Sequence, residues 1–230
     1  MVTDEHRAWN CSWRCQVLLF LAPFIGFAGM VAARFSGSRI WRWIDAEDGP
    51  IEWLQFVGLA VSAAYCLAMP FRLLPQRRKA AGVFLLAGLG MAFVAGEEIA
   101  WGQRLLGFQT PEALAEVNEK RETSLHNVDF MAEWFNLGKF AVGMYGTTGC
   151  WVLAGLARRR ELASWEIFVV PWFLSSSFLV IFVQRVLRWT LLRESVPRGY
   201  GEFDESCFVF GATAFVVLAW QRLSPPRPPR

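Results

Sequence analysis

Two adjacent carboxylates, Glu97 and Glu98, stand at the end of Ala80–Gly96, a stretch of 17 residues without a charged side chain. At 1.5 Å per residue, such a stretch covers most of a hydrocarbon core about 30 Å thick. A carboxylate in or beside lipid is costly, so two kept side by side point to partners and a task. The chemistry open to them is proton transfer as general base, or ligation of a hard divalent cation. The segment continues as IAWGQR, adding Trp101, Gln103 and Arg104.

If the helix runs on past Glu98, then Glu97, Trp101 and Arg104 follow i, i+4, i+7 and share a face, with Glu98 and Gly102 on the neighbouring one. Arg104 lies about two turns from Glu97, too far for an ideal intrahelical pair, and suits another helix or a phosphate headgroup. Trp101 also fits an interfacial belt position. His126 is the one histidine besides His6 of the N-terminal segment, and it follows Glu122 by four residues. On a helix that spacing serves a metal or a proton relay. Glu97, Glu98 and His126 are therefore the candidate catalytic residues. Arg104, Gln103, Asn127, Glu52 and Arg185 are candidates for holding substrate. Glu97, Glu98, Glu122 and His126 are candidates for a divalent cation, Mg²⁺, Mn²⁺ or Ca²⁺, whose preference for oxygen suits carboxylates.

These groups must be positioned by helices in a membrane. The chain is 54% hydrophobic and only 19% charged, against about 25% for a soluble domain. Mean hydropathy is +0.30. Six apolar runs lack Asp, Glu, Lys and Arg: Cys15–Ala33, Trp53–Phe71, Ala80–Gly96, Phe140–Ala157, Ile167–Gln184 and Ser206–Gln221. Each approaches the roughly 17–25 residues of a spanning helix. The expected fold is all-α, a polytopic transmembrane bundle of about six spans. Residues 1–223 form one domain, and Ser224–Arg230 (SPPRPPR) forms a disordered, solvated tail. The first run exceeds a signal-peptide core and leads into Arg34 rather than a small-residue cleavage site, so it reads as a span.

Charge orients the bundle. Arg77, Arg78 and Lys79, then Arg158, Arg159 and Arg160, then Arg222, Arg227 and Arg230 mark alternate connections. The positive-inside rule places them and both termini in the cytoplasm. The lipid bilayer is then the first partner, the expected location is a bacterial inner membrane, and no nucleic-acid partner is expected. Cys11, Cys15, Cys66, Cys150 and Cys207 show no zinc spacing and read as inert thiols.

Local signals refine this picture. Asp48 caps span two, with Pro50 and Glu52 in its first turn. In the longest outer connection, Thr110, Pro111 and Glu112 predict a short helix with Ala113, Leu114 and Val117 along the membrane surface. Pro171 falls in the first turns of span five. Gly143, Gly146 and Gly149 offer a close approach to another helix or general small-residue packing. Polar residues gather at the outer ends of five spans: Glu52; Glu97 and Glu98; Glu133, Asn136 and Lys139; Gln184, Arg185 and Arg188; Asp204 and Glu205. In one bundle they converge on an outward-facing cavity. Taken singly, each is explained by proximity to water or by the helix dipole.

Three segments carry a family resemblance: EDGPIEW (Glu47–Trp53), GEEIAWGQRLLGF (Gly96–Phe108) and Asn118, Glu122, Leu125, His126 and Asn127. Over about residues 45–130 the chain resembles a family of bacterial multi-span membrane proteins without an assigned activity. The resemblance implies that the acidic and amide positions belong to one site, and supplies no reaction. The chain departs from the pattern at Glu119, Lys120 and Arg121, which are charged. Ceramidase-like transmembrane hydrolases hold zinc with several histidines, and one usable histidine is too few for that. No G-x-x-x-x-G-K-[ST] loop or G-x-S-x-G elbow occurs.

Three functions fit these residues. The first is a hydrolase or transferase acting on a lipid or lipid-linked substrate at the outer leaflet. The second is a non-catalytic assembly or scaffold protein. The third is a small proton- or cation-coupled transporter, which would need polar groups deep in two spans, and the deep segments are nearly free of them.

Overall fold

Long helices form here because lipid offers no partner to a backbone N–H or C=O, and an apolar helix satisfies both within itself. The computed structural model describes Trp9, residues 11–35, Ala46 and residues 49–74, 76–118, 120–157, 165–190 and 199–223. For residues 129, 150, 153–157 and 199–201 it describes the backbone alone. The long helices are α1 (Trp13–Phe35), α2 (Pro50–Leu73), α3 (Arg78–Glu98), α4 (Asp129–Ala157), α5 (Ser175–Thr190) and α6 (Gly199–Arg222). No strand occurs among the described residues. Five described segments are long and apolar enough to cross a membrane: Trp13–Phe35, Pro50–Leu73, Arg78–Glu98, Trp165–Thr190 and Glu202–Arg222. The sixth expected run, Phe140–Ala157, lies in α4, a helix of 29 residues whose last side chains are outside the description. The chain is a polytopic α-helical membrane protein. The expected cap Asp48, the triplet Arg158–Arg160, residue His6 and the tail Ser224–Arg230 lie outside the described residues.

α2 and α3 form a tight antiparallel hairpin, α4 and α5 form a second pair, and α6 packs against both α2 and α5. α1 leans on α5 and on the turn Trp172–Leu174. The dry core lies toward the arginine-rich end, where Met69, Phe84, Phe173, Val216 and Ala219 are buried together. Toward the other end the interior becomes polar, through Gln55, Arg185 and Asp204. Leu18, Ile25, Leu54 and Leu86 are exposed on the outer faces of the spans, as lipid-facing side chains must be.

Close packing of α4 on α5 depends on glycine. A Cβ on Gly143 would lie 2.8 Å from the Phe182 backbone nitrogen, and one on Gly146 would lie 2.0 Å from the Phe178 ring. These two glycines therefore admit another helix, as the sequence spacing allowed. Gly146→Ala is expected to cost about 1–3 kcal/mol of stability by forcing the two helices apart, read as a lower unfolding midpoint in detergent.

Two local expectations are corrected. Span five is not continuous: Pro171 leads into a 3-10 turn at Trp172–Leu174, and α5 begins only at Ser175. A carbonyl freed by this break, that of Phe168, accepts a hydrogen bond from the Tyr145 hydroxyl. The helix after Thr110 is one turn long, Glu112–Ala115, with Pro111 at its cap position. Thr110 donates instead to the Arg121 carbonyl, which ties the connection to itself (2.9 Å). α2 starts after Gly49 with Pro50 and Glu52 in its first turn, as the sequence signals predict. Among the cysteines, Cys11, Cys66 and Cys207 are buried and Cys15 is exposed. Burial, then contact with Cys15, pushes the Cys11 thiol up to about 12, so it stays protonated and unreactive at neutral pH.

Candidate functional site

α3 ends at Glu98, and the backbone then turns left-handed, with φ of 45° at Ala100, 55° at Trp101 and 76° at Gly102. The expected shared face of Glu97, Trp101 and Arg104 does not exist, because the helix has stopped. Trp101 nevertheless reaches Glu97, folding back so that its Nε1–H donates to Glu97 Oε1 at 2.7 Å.

Glu97 and Glu98 face different surroundings, because successive helical residues point about 100° apart. Glu97 is 2% exposed. Its Oε2 accepts from the backbone N–H groups of Leu125 (2.5 Å) and His126 (2.9 Å), and lies 3.4 Å from His126 Nδ1. Both oxygens are thus engaged by the connection that leads to α4. Glu98 instead stands within electrostatic reach of Glu205, Glu202, Lys139 and Glu52.

The amides predicted to bind substrate build the connection. Gln103 Oε1 accepts the Thr123 N–H at 2.7 Å. Asn127 Nδ2 donates to Ser124 Oγ at 3.1 Å. Asn118 closes the loop, donating to the Ser124 carbonyl and accepting from the N–H groups of Lys120 and Glu122. Such Asx-type bonds let a short polar loop hold its own backbone. Glu122 and His126 do not share a helical face, since this segment is turn and bend. Glu122 pairs with Arg104, and His126 sits on Glu97.

These elements enclose a cavity of about 30 Å³, room for roughly two waters. Glu52 of α2, Glu97 and Glu98 of α3, and Glu202 and Glu205 of α6 line it, with Ala100, Arg104, Lys120, Glu122 and His126 from the connection. Each of the three motif segments thus supplies at least one lining carboxylate. Arg104 is paired with Glu122, and Lys139 of α4 with Glu205. Carboxylates exceed cations in the lining, so the cavity favours a positively charged or proton-donating group. Among the described residues, no three His, Cys, Asp or Glu side chains are disposed to hold a metal ion. Glu97, Glu98, Glu122 and His126 therefore do not form a ready ligand set.

Arg185 lies elsewhere. It is 2% exposed, beside an Asp204 that is 1% exposed. Its guanidinium donates to Asp204 Oδ2 and Asn136 Oδ1, each at 2.5 Å, joining α4, α5 and α6 inside the bundle. Gln55 of α2 holds the start of α6 from the other side, donating to the Glu202 carbonyl (3.0 Å) and Ser206 Oγ (3.1 Å). Glu205 is expected at the cavity from its place at the outer start of span six, whereas Ala100, Lys120 and Glu202 are lining residues that the sequence does not single out for the site. Lys120 reads there only as one of three charged residues in the connection.

Exposed Trp53, Trp101, Trp134 and Trp189 ring the bundle at the cavity end, and Trp13, Trp151 and Trp165 ring the other. Tryptophan prefers the headgroup level of a bilayer, so the cavity opens at one membrane boundary. Fold and site together define a polytopic helical membrane protein with a charged pocket at one end of its bundle. No family model, curated protein or solved structure matches the chain.

Proposed function

We propose that this protein is a membrane enzyme, a hydrolase or transferase that performs acid–base chemistry on a lipid or lipid-linked substrate at headgroup level. One observation carries the reading: His126 lines the charged cavity, and its Nδ1 lies 3.4 Å from the buried carboxylate of Glu97. A carboxylate behind one ring nitrogen favours the tautomer protonated there and leaves Nε2 as a base. His126 takes a proton from an attacking water or hydroxyl, and the imidazolium returns it to the leaving group. Glu97 positions the ring. Glu98, Glu52 and Glu202 draw in the positively charged or proton-donating part of the substrate. Arg104, held on Glu122, borders the opening.

The cavity end faces the non-cytoplasmic side, because the opposite end carries Arg72, Arg77, Arg78, Lys79 and Arg222. Both termini are then cytoplasmic, and the family resemblance points to a bacterial inner membrane. The test is incubation of proteoliposomes made from a total bacterial lipid extract, followed by mass spectrometry of the lipids. Wild-type protein is expected to generate a product that falls at least ~10²-fold in His126→Asn, and that is also lost in Glu98→Gln. Lipid profiles that match protein-free vesicles overturn the enzyme reading in favour of an assembly role.

A further inference from the structure

The chain leaving α3 does not rise away from the membrane; it returns toward it. Ala100 and Trp101 hold left-handed backbone conformations that L residues seldom adopt, and such geometry persists only where surroundings enforce it. Three contacts enforce it here. The Trp101 N–H donates to Glu97. The Trp101 ring meets the Phe93 ring at 5.5 Å, nearly edge-on. It also lies over Gly96, where a Cβ would come within 2.9 Å of it. Phe93, Gly96 and Glu97 all lie in the last six residues of α3, so the Trp101 ring is folded back along the end of that helix.

The next turn, Gln103–Leu106, is split by polarity. Gln103 and Arg104 face the connection, bonded to the Thr123 N–H and to Glu122. Leu105 and Leu106 face away, 67% and 76% exposed, and Phe108 follows at 39%. With Trp101 and the exposed Phe93, they form an apolar edge continuous with the lipid-facing surface of α3. Leaving it in water would cost the burial of two leucines and a phenylalanine.

We infer that Trp101–Phe108 is a re-entrant interfacial segment seated in the lipid leaflet at the cavity end. The cavity's ligand is then an amphiphile whose chain remains in that leaflet while its polar end passes this edge to reach Arg104 and His126. The statement about the ligand rests on the proposed function; the seating of the segment does not.

The test places a bimane fluorophore on Leu106→Cys, with Leu105→Cys as a second site, in a chain carrying Cys15→Ser. The unmodified Cys15→Ser chain sets the labelling background. The protein is reconstituted in phosphatidylethanolamine–phosphatidylglycerol vesicles, with or without lipids bearing a doxyl group near the headgroup. Doxyl lipids are expected to quench these sites as strongly as a label on Trp134→Cys, and iodide to quench them about tenfold less than a label on Glu112→Cys. Iodide quenching equal to that at Glu112 overturns the inference. So does insensitivity to both quenchers, which would mean that protein, such as a second copy of the chain, covers this edge. A negative lipid-turnover assay leaves the quenching result untouched, so the two ideas fail separately.

Discussion

Replacing Glu97 by glutamine is expected to free the connection between α3 and α4 while leaving the bundle folded. The Glu97 carboxylate accepts from the Trp101 indole and from the Leu125 and His126 backbone N–H groups, and it is buried. Hydrogen bonds to a charged group contribute about 1.5–3 kcal/mol each, more than neutral ones. A glutamine keeps one acceptor oxygen and turns an NH₂ toward donors that then have no partner. The local loss is on the order of 3–5 kcal/mol. Hydrogen exchange at the Leu125 and His126 amides is expected to accelerate at least ~10²-fold, since each 1.4 kcal/mol is a factor of ten. Exchange in α2 and α6 stays as in wild type. Unaltered protection at Leu125 and His126 would show that Glu97 does not hold the connection.

The second large effect concerns Arg185 and Asp204. Arg185 donates to Asp204, Asn136 and Gln184, and the Arg185–Asp204 pair is closed off from solvent. Removing one partner of a buried pair leaves the other charge uncompensated and costs about 3–5 kcal/mol. Arg185→Met and Asp204→Leu are each expected to lower the unfolding midpoint in detergent by that equivalent. Arg185 Nε and Asp204 Oδ1 have no protein hydrogen-bond partner among the described residues. Even intact, the pair is thus incompletely satisfied, so an apolar replacement of both residues is expected to recover most of the loss. Midpoint shifts in the Arg185→Met, Asp204→Leu double variant that equal the sum of the single shifts would contradict a direct pairing. Because Asp204 lies between Glu202 and Glu205 on α6, the pair also fixes where those two carboxylates stand.

The helices were readable from the sequence because lipid enforces long apolar runs, but Pro171 reads there as a tolerated first-turn residue, and the break it makes in span five is visible only in the fold. Convergence of Glu52, Glu97, Glu98, Arg104, Glu122 and His126 on one cavity follows from helix ends meeting at a common membrane boundary. The division of labour did not follow. Glu97 and Glu98 look alike in sequence, and only the left-handed turn after α3 decides which of them the connection occupies. Gln103 and Asn127 carry the same groups whether they bind a ligand or a loop, and here the Thr123 backbone N–H claims Gln103 and the Ser124 hydroxyl claims Asn127. Arg185 reads as a substrate-binding residue from its charge and its place at the outer end of span five. Its partner Asp204 lies 19 residues away on another helix, and nothing in a linear pattern reveals that contact.

Everything turns on whether the carboxylate pocket is wet and open to the non-cytoplasmic side. The direct measurement is the reaction of Glu98→Cys, in a chain carrying Cys15→Ser, with membrane-impermeant methanethiosulfonates added outside right-side-out vesicles. The expected result is labelling from outside, faster with a cationic reagent than with an anionic one, because Glu52, Glu202 and Glu205 surround the site. Labelling that occurs only after the vesicles are permeabilised, or not at all, would contradict it.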